Sequence, residues 1–585
     1  MREVLEFERI TPEPGPDADS VRHEWVAQVE VDEPGGATLE IGGIATVWDV
    51  LVNGDVVASG RSMFEPRTVD VSGAVRSGGN EVRVVVHPLT DLLDELPRKP
   101  RARWRTMLVD EPRLRWVRTQ VLGRAPGFAP GPPVVGPYRP MVLATEPAPV
   151  ADRVGTWWPH THGTREATGH RTVENRSEDS LDLRVNGERV FVRGVVWTPG
   201  DLAALDTAVE LGFNLVRVSG VSAYESDEFY RRCDELGLMV WQDLMFATFD
   251  YPLSDESFRS TVEAEVRDQL ARLSDHPCVV VVCGSAEHEQ QAAMFGVSPS
   301  TGYAGELAAF LKPLFDDSGV DAVWVDSSPS GGDPVVRVDT GIAQYFGVGA
   351  YLRDLPDARH SGVRFAAECL AFANLPDPLV AGGVPRDNGA DWDFADVREH
   401  YALARYGPDA TETERQRVTG EVMADVFGEW RRPASPCGGG IVLWLRDLEP
   451  GSGWGLLDHT GSPKPAAHAL APVLQPTAVW LVDEGLNGLD VHVAHDRGEP
   501  ADLTLAVELL REDGSVIESA ERAWTMEPHG HRRWTVDALL GRFADSSYAY
   551  RFGPPPHAAV RASLTGDSIE RESTWHVPGP PTRRY

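Results

Sequence analysis

From about residue 181 to residue 475, short apolar runs alternate with amphipathic stretches of helical period, and this alternation limits the fold more than any other feature. After LRVNGERVFVRG, Asp201 to Leu211 reads as helix, FNLVRVSG as strand, ESDEFYRRCDELG as helix and LMVWQDLMF as strand. Ser254 to Ser274 carries Val262, Val266, Leu270 and Leu273 on one helical face. The series continues through CVVVVCG, GELAAFLKPLF, DAVWVDS, IAQYFG and VRFAAEC, then a long helix around Thr411 to Arg431, then GIVLWLRDL. Strands joined by helices run parallel, because each crossover returns the chain to the same end of the sheet. Eight such strands predict a closed (β/α)8 TIM barrel.

The flanks read differently. Residues 1–146 show β alternation, with VWDVLVNGDVVASG placing Asn53-Gly54 at a hairpin turn, and predict a jelly-roll β-sandwich. Residues 147–180, which contain WWPHTHG, are too few for a core of their own and read as a linker. Residues 476–585 return to alternation in LDVHVAH and LTLAVEL and predict a second β-sandwich.

The formal charge of −34 opposes nucleic-acid backbones and anionic membranes. MREVLEFERITPEPG has no apolar export core, and no apolar run is long enough to cross a bilayer. Cys278 and Cys283 lie on one extended run, roughly 16 Å apart by strand geometry, which is too far for a disulfide. No CxxC pair occurs. These features predict a cytoplasmic protein without a nucleic-acid or membrane partner.

Chemistry concentrates where charge interrupts apolar strands. Glu368 sits inside VRFAAECL, and Glu287 follows CVVVVCG. Desolvating an unpaired carboxylate costs several kcal/mol by rough estimate, so two of them at strand ends call for a function. The C-terminal ends of barrel strands face the active site. Glu287 falls after the fourth strand and Glu368 at the end of the seventh, an arrangement suited to acid/base and nucleophilic work on a glycosidic bond. Arg217 in the second strand can hold a neighbouring carboxylate ionised. Asp243 and Asp447 add polar groups at strand ends, Trp197 and Trp444 offer flat faces for a sugar ring, and Tyr345 can donate to a carboxylate. The bland alternatives are a structural Arg217–Asp243 pair and core tryptophans. His160, His162 and His288 match no metal spacing, and no nucleotide fingerprint occurs in a strand-to-helix context, so no metal or cofactor is expected.

RVNGERVFVRGVVWTPGD, NLVRVSGVSAYESDEFYRRCDELGLMVWQDLMF and SDHPCVVVVCGSAEHE together resemble glycoside hydrolase family 2, nearest its β-mannosidase-like members. VLVNGDVVASGRSMFEPRTVDVSGAVRSGGNEVRVVV resembles that family's sugar-binding-type sandwich, and GGGIVLWLRDLEPGSGWGLLDHTGSPKPAAHAL its last barrel strand and helix, so the likeness covers roughly Val21 to Leu474. It implies that Glu287 is the general acid/base and Glu368 the nucleophile of a retaining exo-glycosidase acting on a β-linked, mannoside-like substrate. It also implies that Trp197, Arg217, Asp243, Tyr345 and Trp444 line the sugar subsite, and that residues 147–180 are the remnant of an immunoglobulin-like domain. The family's Asn-Glu pair is replaced by Ser285-Ala286-Glu287, and alanine cannot hold a sugar 2-hydroxyl. If installing Asn at Ala286 brings no gain on 2-hydroxy glycosides, another donor is implied, Ser285 or His288. Two other readings therefore stay open: a glycosidase for a 2-modified or 2-deoxy sugar or a glycosylated small molecule, and a catalytically silent carbohydrate-binding protein.

Overall fold

The computed structural model describes residues 2–577 apart from 16, 126, 128, 146–158, 160–170, 178 and 298–304. WWPHTHG, with His160 and His162, lies outside the described residues except for Pro159.

The central unit is a (β/α)8 barrel. Its strands are β1 (Val192–Trp197), β2 (Leu215–Val218), β3 (Met239–Asp243), β4 (Val279–Cys283), β5 (Val323–Val325), β6 (Ala343–Tyr345), β7 (Ala366–Cys369) and β8 (Gly439–Val442). The parallel ladder runs β5-β4-β3-β2-β1-β8-β7-β6. Its two end strands are linked through Ser330 and Ile342, which exchange backbone hydrogen bonds. Strands β1 to β4, β7 and β8 are buried along their whole length, because helices cover the outside and side chains fill the inside. That double burial is why they read as apolar runs instead of alternating ones.

The surrounding helices form where the period predicts them. Ser254 to Ser274 yields the helix Glu256–Leu273, capped by the Asp255 side chain, with Val262, Val266, Leu270 and Leu273 buried. Thr411 and Glu414 form a reciprocal capping box on Glu412–Trp430.

The N-terminal sandwich packs two antiparallel sheets, one of four and one of five strands. Its Asn53-Gly54 turn takes φ of 52° and 94°, as the tight hairpin requires. The long segment between its strands Gly78–Val86 and Gly136–Ala144 is pinned over the mouth of the barrel. Val121 and Leu122 both donate their N–H to the Val221 carbonyl after β2, at 3.0 and 2.7 Å. Arg118 is 3% exposed, pairs with Glu265 through Nε and Nη2, and lies 3.9 Å over the Phe246 ring. Trp104 Nε1 donates to the Thr248 carbonyl after β3. Domain contact and site wall are thus the same segment.

The C-terminal sandwich, with sheets of three and four strands, attaches elsewhere. Asp496 accepts from Arg193, where β1 begins, and from Arg431, where the helix Glu412–Trp430 ends. Among the described residues no helix is long and apolar enough to cross a membrane, and no group of three or more His, Cys, Asp or Glu is placed to hold a metal. All five cysteines are buried free thiols.

Candidate active site

Glu368 lies at the mouth of the barrel, 2% exposed, and its burial is tolerable because Arg217 reaches it from β2. Arg217 Nη1 donates to Glu368 Oε1 at 3.0 Å and to the Ala367 carbonyl at 2.9 Å. Its other edge grips Asp243, Nη2 to Oδ2 at 2.7 Å. Burial holds the Glu368 carboxyl above its ordinary value; Arg217 opposes that rise and Asp243 adds to it.

Glu287 is 4% exposed and stands between β4 and the helix His288–Met294 with φ of 60°. A non-glycine residue in the left-handed region costs roughly 1–2 kcal/mol. The surroundings enforce it: Ala286 N–H donates to the Phe246 carbonyl and Glu287 N–H to the Ser328 carbonyl, both at 2.8 Å. The result turns the carboxyl into the barrel mouth. Gln291 Nε2, one helical turn on, donates to Glu287 Oε2 at 3.3 Å. Burial, then the charge of Glu368, raises the Glu287 pKa well above the carboxylate range, against the opposing pull of Gln344, Gln291 and Arg217. One guanidinium serves two carboxylates, so the third keeps its proton.

Gln344 joins the pair. Its Nε2 donates to Glu368 Oε2 at 3.3 Å, and its amide also stabilises the ionised form of Glu287. This is the position expected of Tyr345, and the correction has a clear origin. The β6–β7 register shifts between Ala343 and Gln344, so that Gln344 pairs with Glu368 and Tyr345 with Cys369. Successive residues of a strand face opposite ways. Tyr345 therefore points out of the barrel, where its hydroxyl donates to Asp357 at 2.8 Å and its ring meets Trp430. Replacing Gln344 with leucine keeps the volume and removes the donor. Such a loss is expected to lower kcat/KM about tenfold to hundredfold, and to move the acidic limb of the pH–rate profile upward because ionised Glu368 loses support. Initial rates across pH check both.

Other expected site residues are placed differently. Trp197 is the register partner of Val218 and faces outward, donating from Nε1 to Glu225 at 2.8 Å and packing on Phe229. It cannot stack on a ligand in the barrel. Asp243 is fully buried, with Oδ1 accepting from Trp241 and Arg217 and Oδ2 from Arg217 and the Gly220 N–H. It positions Arg217 and does not face a ligand. Asp447 accepts from Lys464 and the Gly455 N–H, so it too holds a loop. Ser285 Oγ donates to Ser327 Oγ at 3.1 Å. Trp444 follows β8 and lines a cavity with Trp454.

The mouth is rich in unpaired polar atoms. Gln120 Nε2 and Oε1, Ser222 Oγ, Thr248 Oγ1, His288 Nε2 and Ser328 Oγ are buried without a hydrogen-bond partner among the described residues. They come from the overlying N-terminal segment and from the loops after β2, β3, β4 and β5. Such atoms need water or a polar ligand. Tyr351 stands at the rim, 68% exposed, and its pKa is raised by partial burial, then by the charges of Asp387 and Glu287. Gln344 carried a readable signal, a polar residue inside the apolar run IAQYFG, whereas Gln291, Tyr351 and Gln120 carried none.

Comparison with known proteins finds likenesses in sequence and fold. Residues 20–139 match the family model described as glycosyl hydrolase 2 galactose-binding domain-like. β-Mannosidase B of Aspergillus clavatus is 26% identical over 514 residues, covering 72% of this chain and 59% of that protein. The β-mannosidase of Bos taurus is 34% identical over 199 residues, 27% of this chain and 22% of its own. The chain thus spans less than two thirds of the length of these curated relatives. Among solved structures, the β-D-mannosidase of Dictyoglomus thermophilum superposes with a TM-score of 0.76 at 18% identity, covering 98% of this chain and 88% of that one. The exo-chitosanase of Amycolatopsis orientalis gives 0.68 at 15% identity, with 96% and 77% covered. This chain is similar in sequence to β-mannosidases, matches a glycosyl hydrolase 2 domain model over residues 20–139, and shares the fold of the solved β-D-mannosidase.

Proposed function

We propose that the chain is a retaining exo-acting glycoside hydrolase for a β-linked, mannoside-like substrate. The observation that carries this reading is the unequal treatment of two buried carboxyls: Glu368 accepts from the charged Arg217 guanidinium, whereas Glu287 accepts from the neutral Gln291 amide. Glu368 attacks the anomeric carbon while Glu287 gives its proton to the leaving oxygen. The carbon–oxygen bond to the aglycone breaks and a glycosyl ester forms. Once Glu368 is esterified its charge is gone, and the pKa of Glu287 falls, because that charge was the second cause holding it up. Glu287 then accepts a proton from water as that water attacks the anomeric carbon, the bond from C1 to the Glu368 oxygen breaks, and the sugar and the Glu368 carboxylate are freed. The N-terminal segment over the mouth suits release of single terminal residues.

Glu287→Ala is expected to cut kcat/KM on alkyl glycosides by about 10²–10⁴-fold and to spare kcat/KM on 2,4-dinitrophenyl glycosides, whose leaving group needs no proton, while kcat falls on both because the base for water is gone. Steady-state kinetics on both classes checks this, and equal losses in kcat/KM would remove Glu287 from the acid role.

A second reading keeps the pair and alters the sugar at C2. It is favoured by Ala286, whose methyl offers no hydrogen bond, and by the turn of Ser285 toward Ser327. The exo-chitosanase relative was solved with PNP-β-D-glucosamine, a 2-amino sugar. Parallel rates on 2-hydroxy, 2-amino and 2-deoxy aryl glycosides separate the two readings. Failure of every aryl glycoside and of 2-fluoro glycosyl fluoride trapping at Glu368 would leave a carbohydrate-binding protein.

A further inference from the structure

In the C-terminal sandwich, residues 541–557 run from the helix Val536–Leu540 to the strand Ala559–Gly566, and they hold apolar side chains in water. Phe552 is 86% exposed, Phe543 69% and Tyr550 43%, and Leu486 on the neighbouring turn is 68% exposed. The four form one patch. The Phe543 and Tyr550 rings meet edge to face at 5.9 Å, and those of Tyr550 and Phe552 lie 6.4 Å apart with planes 18° from parallel. The Tyr550 hydroxyl donates to the Leu486 carbonyl at 3.4 Å. None of the four belongs to the apolar core of the sandwich.

The backbone fixes this display. Asp545 accepts from the N–H of Ala549 at 2.8 Å and of Tyr550 at 3.1 Å, and the Tyr548 hydroxyl donates to the Gly553 carbonyl. Tyr548 and Arg551 take φ of 52° and 56°. That left-handed conformation is unfavourable for a residue with a side chain and persists where its surroundings enforce it. Ser546 Oγ accepts from the Leu489 N–H and Ser547 Oγ donates to the Gly485 carbonyl, so the Leu486 turn is fastened to the same loop. Groups already held in place lose little freedom on docking.

Area and charge select the occupant. At these exposures the four side chains offer on the order of 500 Å². Two copies meeting patch to patch would cover about 1,000 Å², the size at which a specific interface begins. Each chain carries a formal charge of −34, so copies repel unless opposite charges face each other locally. The patch supplies them. Arg551 and Asp483 are both exposed and make no ion pair among the described residues, whereas nearby Arg542 is paired with Glu518, and Glu484 with Arg359 and Arg432. Arg551 stands between Tyr550 and Phe552, and Asp483 opens the turn that carries Leu486. In a twofold contact residue i meets residue j and j meets i, so the free cation of each copy can meet the free anion of the other. A neutral glycan on the rings would leave both charges unmatched.

We propose that Leu486, Phe543, Tyr550 and Phe552 form a self-complementary surface on which a second copy of this chain docks, with Arg551 of each copy against Asp483 of the other. This is independent of the reading of Glu287 and Glu368.

Sedimentation velocity of the full chain, from nanomolar to tens of micromolar, tests it. A concentration-dependent dimer is expected. Phe552→Ser should weaken it by about a hundredfold or more, because each dimer loses the ring twice. Arg551→Asp and Asp483→Arg should each weaken it by about tenfold, and the double variant, which restores opposite charges across the contact, should return to within a few fold of wild type. All four changes lie on exposed side chains, so far-ultraviolet circular dichroism should be unchanged. A dimer that survives Phe552→Ser would overturn the surface, and a double variant no tighter than the singles would overturn the twofold pairing. A monomer at every concentration would overturn the proposal outright. If insoluble mannan or cellulose then retained the wild type and not Phe552→Ser, the rings would be a carbohydrate platform instead.

Discussion

Glu368→Ala is expected to lower kcat/KM on every substrate class by roughly four orders of magnitude, about 5 kcal/mol of barrier, while the protein stays folded. The reason lies in what Glu368 touches. It is the carboxyl that Arg217 and Gln344 both address, and its removal takes away the atom that would bond to the anomeric carbon. No neighbour can substitute, because Asp243 is turned into Arg217 and Glu287 holds a proton. Folding should survive because Arg217 keeps its two-pronged contact with Asp243 and its bond to the Ala367 carbonyl. Progress curves on activated and unactivated glycosides, with near-ultraviolet circular dichroism as the control, check the result. Mass spectrometry after 2-fluoro glycosyl fluoride treatment should find the label on Glu368 in the wild type and none in the variant. Turnover within tenfold of wild type would end the double-displacement reading.

Arg217→Met should be the most damaging change to stability as well as to rate. The arginine is fully buried and neutralises Asp243 and Glu368 together. A methionine fills similar volume and leaves two buried carboxylates without their cation. Breaking a buried ion pair from one side costs about 3–5 kcal/mol, which for a unit the size of the barrel lowers the thermal midpoint on the order of 10 °C. The sign of the pH effect comes from the same contact. Arg217 lowers the Glu368 pKa, so its loss raises it, and the acidic limb of residual activity moves to higher pH. Differential scanning calorimetry and a pH–rate profile test the two halves separately. An unchanged midpoint would mean that Asp243 and Glu368 are not charged together in the folded protein.

Much of the architecture is legible before any coordinates. Val262, Val266, Leu270 and Leu273 repeat at helical spacing, and the helix is there; CVVVVCG and VRFAAEC are apolar throughout, and both are buried parallel strands. Glu287 and Glu368 stand out because charge inside an apolar run needs a partner or a task. The partners themselves are not legible. Tyr345 and Gln344 are adjacent in sequence, and one irregularity in pairing with β7 decides which of them meets Glu368. Trp197 sits at a strand end like Arg217, yet it faces a helix and not the barrel interior. Asp243 and Asp447 read as free polar groups, and both are fully engaged by cations and backbone N–H groups.

Sequence alone determined that a parallel barrel is flanked by β-sandwiches and that one acid follows its fourth strand and another stands in its seventh, because hydrophobic period and isolated charge are properties of a few consecutive residues. Tertiary structure decided which side chains face the mouth, which acid receives the guanidinium and which keeps a proton. Those outcomes depend on register between strands remote in the chain and on electrostatic fields summed through space, and neither is written in any local stretch of residues.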